Sequence, residues 1–206
     1  MYTTSKERMT EKITAFSKFG ALDGGGITRL SMSPPALEAR AEFKKRTGAL
    51  GLTIESDDIG NIYATLPGSD PDAKRIVVGS HADSVRSGGN YDGIYGVLAG
   101  LEAIETVVTD NIPHRHPFTV MIWTNEEGAR FEPAMMSSGI VLGKFEKEKM
   151  LAVKETGGQT TFGEALDASG WVGDEKNRLS HRGQAARALA AMLREQWLAG
   201  AVRAKA

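Results

Sequence analysis

An α/β fold is predicted by three segments in the middle of the sequence. Arg75-Ile76-Val77-Val78 is a short β-branched run of the kind that forms a buried strand. From Ile94 onward, Val97, Leu98, Leu101, Ile104 and Val108 recur at helical spacing. Phe118-Thr119-Val120-Met121-Ile122-Trp123 reads as a second buried strand. Strand, helix and strand at these lengths make a βαβ unit, which predicts parallel strands and a right-handed crossover.

The elements before this unit follow from shorter signals. Met9, Ile13 and Phe16 stand at i, i+4 and i+7, which predicts an amphipathic helix at the start. Gly24-Gly25-Gly26 breaks it; no strand precedes these glycines and no Lys-Ser/Thr follows, so they read as a flexible turn rather than a phosphate cradle. Ser33-Pro34-Pro35 opens a second helix, with Ser33 as cap, that continues through Glu38 and Lys45 to Gly48. Leu52–Glu55 and Ile62–Leu66 read as strands joined through Asp57-Asp58-Ile59-Gly60-Asn61, whose aspartates suit a turn. His114 and His116, between Pro113 and Pro117, fall in a solvated loop ahead of the second buried strand. Lys144 to Lys149 alternates in sign and reads as a solvated helix face. Near the end, Leu189, Met192, Leu193 and Trp197 form an apolar packing stripe, and His181 reads as a solvated tail histidine.

Composition narrows the function classes. The chain has 206 residues, enough for one domain or slightly more, with 41% hydrophobic and 25% charged residues. Its formal net charge of −1 gives no reason to expect nucleic acid or an anionic membrane as partner. No stretch approaches the roughly 20 apolar residues that span a bilayer. Met1 to Lys12 lacks the apolar core of a signal peptide, so a cytoplasmic location is expected. With no cysteine, disulfides and thiolate metal sites are excluded.

The chemistry-bearing residues lie where the βαβ unit places ligands, outside the carboxyl ends of its strands. His81 follows the first strand, Glu126 and Glu127 follow the second, and Asp92 precedes the connecting helix. Neutral imidazole from His81 and carboxylate from Glu127 suit zinc, manganese, cobalt or nickel. Asp92 has two oxygens and can bridge two ions, and a pair of ions can hold a water between them. Glu126, next to Glu127, is free to take a proton from that water and pass it to a leaving nitrogen. Asp83 is placed to fix the tautomer of His81, and Gly88-Gly89 and Gly93 permit the tight path that turns Asp92 inward.

These segments resemble a known family. Gly79-Ser80-His81 through Gly100-Leu101-Glu102, together with Trp123 through Phe131, are similar to the zinc-peptidase-like metallo-amidohydrolases of the M20 class, in the hydantoinase/carbamoylase branch. That branch includes N-carbamoyl-L-amino-acid hydrolases, allantoate amidohydrolases and β-ureidopropionases. Arg29-Leu30-Ser31, Ser33-Pro34 with Glu38-Ala39-Arg40, Asp58-Ile59-Gly60-Asn61 and Phe162-Gly163-Glu164-Ala165-Leu166 carry the same resemblance, which spans about Asp23 to Gly170. It implies a mixed sheet flanked by helices, two divalent ions, His81 and Glu127 as ligands of one ion each, a bridging Asp92, Glu126 as general base and Asp83 as support. It also implies a small-molecule ureido or amide substrate and a homodimer.

Two departures are small: Ala82 replaces a larger apolar residue, and Ser137 stands where glycine is common. A third is large. Members of the family continue into a His-Ile-Glu-Gln-Gly-Pro-like segment, a lid and dimerisation domain and a further metal-binding histidine, none of which occurs in this sequence. The expected organisation is therefore residues 1–175 as the first part of a catalytic domain and 176–206 as a divergent Ala/Arg-rich tail. The alternative to an enzyme is an inactive homologue with an incomplete metal site.

Overall fold

The computed structural model describes residues 3–173. His181, the Leu189–Trp197 stripe and the tail expected at 176–206 lie outside them.

Helix α1 (Lys6–Phe16) is capped by Ser5, whose side chain accepts from the Arg8 N–H, and it buries Phe16. Met9 and Ile13 pack against the same core. Helix α2 (Pro34–Ala49) starts with proline at its first position. Ser33 occupies the cap site but makes no capping hydrogen bond, so the ring-fixed φ of Pro34 sets this helix start instead. Strands β1 (Thr53–Ser56) and β2 (Ile62–Leu66) form an antiparallel hairpin. Asp57 makes its turn: the buried carboxylate accepts from Asn61 N at 2.8 Å, Asn61 Nδ2 at 3.0 Å and the Tyr63 hydroxyl at 2.9 Å. These aspartates are turn residues, as the sequence predicts, and Asp58 binds Lys147 at 2.5 Å. Lys144, Glu146, Glu148 and Lys149 are exposed, as a solvated face predicts, while Lys147 anchors the short helix α5 (Lys147–Leu151) to the hairpin turn; α4 (Met136–Val141) precedes it.

Strand β3 (Ile76–His81), helix α3 (Ile94–Thr109) and strand β4 (Phe118–Trp123) form the expected unit, with β3 and β4 parallel and His81 opposite Trp123. The sheet order is β1-β2-β4-β3, with β2 antiparallel to β4. The fold is thus mixed α/β. Helix α3 approaches β3 closely because Gly96 and Gly100 face it; a Cβ at Gly100 would lie 2.7 Å from Val78 Cγ1.

The expectation of a buried first strand is corrected here. Ile76, Val77 and Val78 are 50, 47 and 44% exposed. Among the described residues β3 has a neighbour on one side only. A β-branched run reports strand propensity and cannot report whether the strand is central or at an edge. β4, flanked on both sides, is the buried one.

Two apolar clusters form among the described residues. The larger joins Phe16, Phe43, Ile62, Val97, Leu98, Leu101, Val120 and Ile122, bringing α1, α2 and α3 onto the sheet. The second, with Met32, Ile59, Phe131, Met136, Phe162 and Leu166, lies beneath the loops beyond the strand ends. There Phe131 and Phe162 meet edge to face at 5.4 Å. Helix α6 (Phe162–Ser169) enters this cluster through a Thr161/Glu164 capping box. His114 and His116 stay at the other end of β4, bonded to loop carbonyls of Ile112, Pro67 and Lys74. No helix among the described residues is long and apolar enough to cross a membrane.

Candidate metal centre

Strand β3 ends on His81 opposite Trp123, the last residue of β4, and Glu126 and Glu127 follow Trp123 by three and four residues. One ligand atom each from His81, Asp92 and Glu127 lies within 4.8 Å of the others. His81 is buried, Glu127 half-buried and Asp92 exposed, so the group opens to solvent on one side.

The His81 ring is fixed from two directions. Nδ1 lies 2.9 Å from the Asp83 carbonyl oxygen. A carbonyl only accepts, so Nδ1 carries the proton and the Nε2 lone pair is left for a ligand. The ring also lies flat on Gly93, where a Cβ would stand 2.3–2.5 Å from three ring atoms. Gly93 has φ +66°, in the left-handed region, and turns Asp92 back beside the imidazole. Nε2 is 3.5 Å from Glu126 Oε2, so a third carboxylate faces the same space.

Asp83 ties the two strand ends together. It is the Asp83 backbone that sets the His81 tautomer, whereas its carboxylate accepts from Glu126 N at 3.4 Å and Glu127 N at 3.2 Å. Burial pushes this carboxyl up from its ordinary value, against the opposing pull of His81 and the two N–H donors. Burial also raises Glu127, with His81 opposing and the Asp92, Asp83 and Glu126 charges adding to the rise. Glu127 Oε1 is buried without a hydrogen-bond partner. A desolvated, unpartnered carboxylate oxygen beside His81 Nε2 is a donor set that a borderline divalent cation satisfies.

Behind these groups the loop from 124 to 136 folds back on itself. Asn125 takes φ +53°, and its Nδ2 donates to the Phe131 carbonyl at 2.6 Å. Met135 N donates to the Glu126 carbonyl at 2.6 Å. Thr124 N donates to Asn61 Oδ1 and to Ser137 Oγ, both at 2.9 Å, so the unusual serine at 137 supplies a hydroxyl that is used. Arg40 donates to Gly60 O and Thr124 Oγ1, both at 2.8 Å. Its role was readable: Ala36, Ala39, Arg40, Phe43 and Thr47 form the buried stripe of α2, so a charge there had to be satisfied internally.

Comparison with known proteins gives the family. The family model for peptidase family M28 matches residues 61–153, which contain all five site residues. An N-carbamoyl-L-amino-acid amidohydrolase of Rhizobium meliloti is 39% identical over 170 residues, 82% of this chain and 41% of the relative. An allantoate amidohydrolase of Escherichia coli is 34% identical over 172 residues, covering 84% and 42% of the two chains. The crystal structure of a hydantoinase/carbamoylase family amidase from Burkholderia ambifaria superimposes with a TM-score of 0.81 at 35% identity, covering 84% of this chain and 42% of that one. The chain therefore spans about two-fifths of the length of the relatives it matches. In sequence and fold alike, it belongs to the hydantoinase/carbamoylase family of amidohydrolases.

Proposed function

We propose that this chain supplies part of the catalytic domain of a metal-dependent hydrolase acting on carbon–nitrogen bonds of linear amides or ureido compounds, of the N-carbamoyl-L-amino-acid or allantoate type. The observation that carries the reading is the meeting of His81, Asp92 and Glu127 donor atoms within 4.8 Å. His81 Nε2, Asp92 and Glu127 would hold a divalent cation (zinc, manganese, cobalt or nickel), and the second oxygen of Asp92 is available for a second one. When bound, the cation supplies Lewis acidity. Glu126 is the general base: its carboxylate takes the proton of the attacking water and returns it to the departing nitrogen. Asp83 keeps His81 in the ligating tautomer and holds the backbone of Glu126 and Glu127.

Metal content of the purified protein, measured with hydrolysis of N-carbamoyl-L-amino acids and of allantoate, tests the reading. Glu126→Gln should keep the metal and lower turnover by about 10²–10⁴-fold, because an amide cannot accept the proton. Full activity of Glu126→Gln would assign the base elsewhere, and a protein that takes up no metal would remove the centre altogether. A second reading, an inactive homologue that only binds metal, is favoured by the size of this cluster: three donors with Asp92 shared leave each ion of a two-ion centre with two protein ligands, where a catalytic ion uses three. Bound metal without turnover in the unaltered protein selects it.

A further inference from the structure

Arg29 is fully buried, yet among the described residues it makes no ion pair or hydrogen bond with a carboxylate. Its Nε donates to the Ala82 carbonyl at 2.6 Å, and its Nη1 donates to the Phe16 carbonyl at 2.8 Å and the Phe19 carbonyl at 3.3 Å. The first two are close, well-formed bonds from one rigid fork, a geometry that a single ammonium cannot reproduce. One end of the fork grips the chain where α1 stops; the other grips the residue directly after His81.

The Arg29 backbone adds two further bonds on the other side of Asp83. Arg29 N donates to Ser84 Oγ at 2.9 Å, and Ser84 N donates to Arg29 O at 2.9 Å. The pairing continues as Ile27 N to Gly88 O at 3.0 Å and Gly88 N to Ile27 O at 2.8 Å. Asp83 is thus bracketed, its preceding carbonyl held by the Arg29 side chain and its following residue by the Arg29 main chain. Between those clamps Asp83 points its own carbonyl at His81 Nδ1 and its carboxylate at the Glu126 and Glu127 N–H groups.

We infer that Arg29 is a positioning residue of the metal centre: by clamping Ala82 and Ser84 it fixes the Asp83 carbonyl, which holds His81 in the tautomer whose Nε2 can ligate a divalent cation. The chain of action runs from the end of α1 through Arg29 to Asp83 and then to both strand ends. Burial lowers the Arg29 guanidinium to about 10, with the Asp83 charge opposing, so it remains protonated at neutral pH and keeps all its donors. The inference rests on the metal-site reading for its consequence, but its immediate effect, the His81 tautomer, exists without metal.

The test uses Arg29→Lys in the full chain, with fold checked by circular dichroism and amide spectra. Nitrogen-15 NMR of the imidazoles, with His81→Gln to assign the signal, should show one Nδ1–H tautomer in the unaltered protein and a mixture of tautomers in Arg29→Lys. Titration with Co²⁺ should show affinity about 10–100-fold weaker in the variant. An unchanged tautomer, or unchanged Co²⁺ affinity in a folded variant, overturns the inference. If the unaltered protein binds no Co²⁺, the metal reading falls, and the tautomer alone then judges Arg29. Should Arg29→Lys not fold, hydrogen exchange of the Arg29 Nε–H in the unaltered protein decides. Slow exchange supports the clamp, and exchange as fast as that of surface arginines refutes it.

Discussion

At the scale of single residues, the centre depends on one missing side chain as much as on those present. Gly93 leaves room for the His81 ring and also takes φ +66°, so a substitution there meets two separate obstacles. Gly93→Ala would place a methyl 2.3–2.5 Å from three imidazole atoms while the backbone is held in the left-handed region. We expect a stability loss of about 1–3 kcal/mol in urea denaturation and at least about tenfold weaker Zn²⁺ binding by calorimetry. A variant that binds Zn²⁺ as well as the unaltered protein would show that the ring is not set by this contact. The ligand candidates themselves were legible because each stands beside a strand or helix end that the periodicity already marks. Arg29 was not, because its partners Ala82, Phe16 and Phe19 are joined to it by loop pairing that no local pattern records.

Among the elements, α1 and α3 are joined by a cluster of buried charge. Lys12 and Glu102 are each 2% exposed and meet at 2.8 Å, while Arg8 reaches Glu102 at 2.6 Å and Lys12 also meets Glu105 at 2.5 Å. Burial pushes the Glu102 carboxyl up, but hydrogen bonds from Arg8, Lys12 and Ser5 N outweigh it and hold the group at about 2, below its ordinary 4.5. A carboxyl lowered by folding stabilises the native state above its ordinary value and loses that contribution as pH falls from about 4.5 toward about 2. The contribution is about 3 kcal/mol at neutral pH. Glu102→Gln should therefore cost about 3 kcal/mol in urea denaturation at pH 7, because Lys12 stays buried with only Glu105 beside it. The gap between the two proteins should narrow as the experiment is repeated through that window. A gap independent of pH would mean that shape rather than charge is what Glu102 provides. From sequence, α1 and α3 are visible as periodic apolar faces, but no local pattern marks Lys12 and Glu102 as buried, since only the packing of one helix on the other buries them.

At the scale of the molecule, the sheet is, among the described residues, well protected on one side and open on the other. β1, the opposite edge strand, spans four residues, and α2 packs against it. β3 is six residues long, carries Ile76, Val77 and Val78 about half exposed, and contains no proline or lysine that would discourage pairing. The parallel pair was legible from the β-branched runs and the helical period between them, whereas the sheet order that exposes β3 depends on β2 pairing with β4 across more than fifty residues. An open apolar edge of this kind recruits further strands. Sedimentation velocity should accordingly show concentration-dependent self-association of the chain. Val77→Lys, which puts a charge on that edge, should shift the population to monomer, while Leu142→Lys, at an exposed site beyond α4, should leave it unchanged. A chain that stays monomeric throughout, or one whose association ignores Val77→Lys, would show that β3 is not the surface on which the molecules meet.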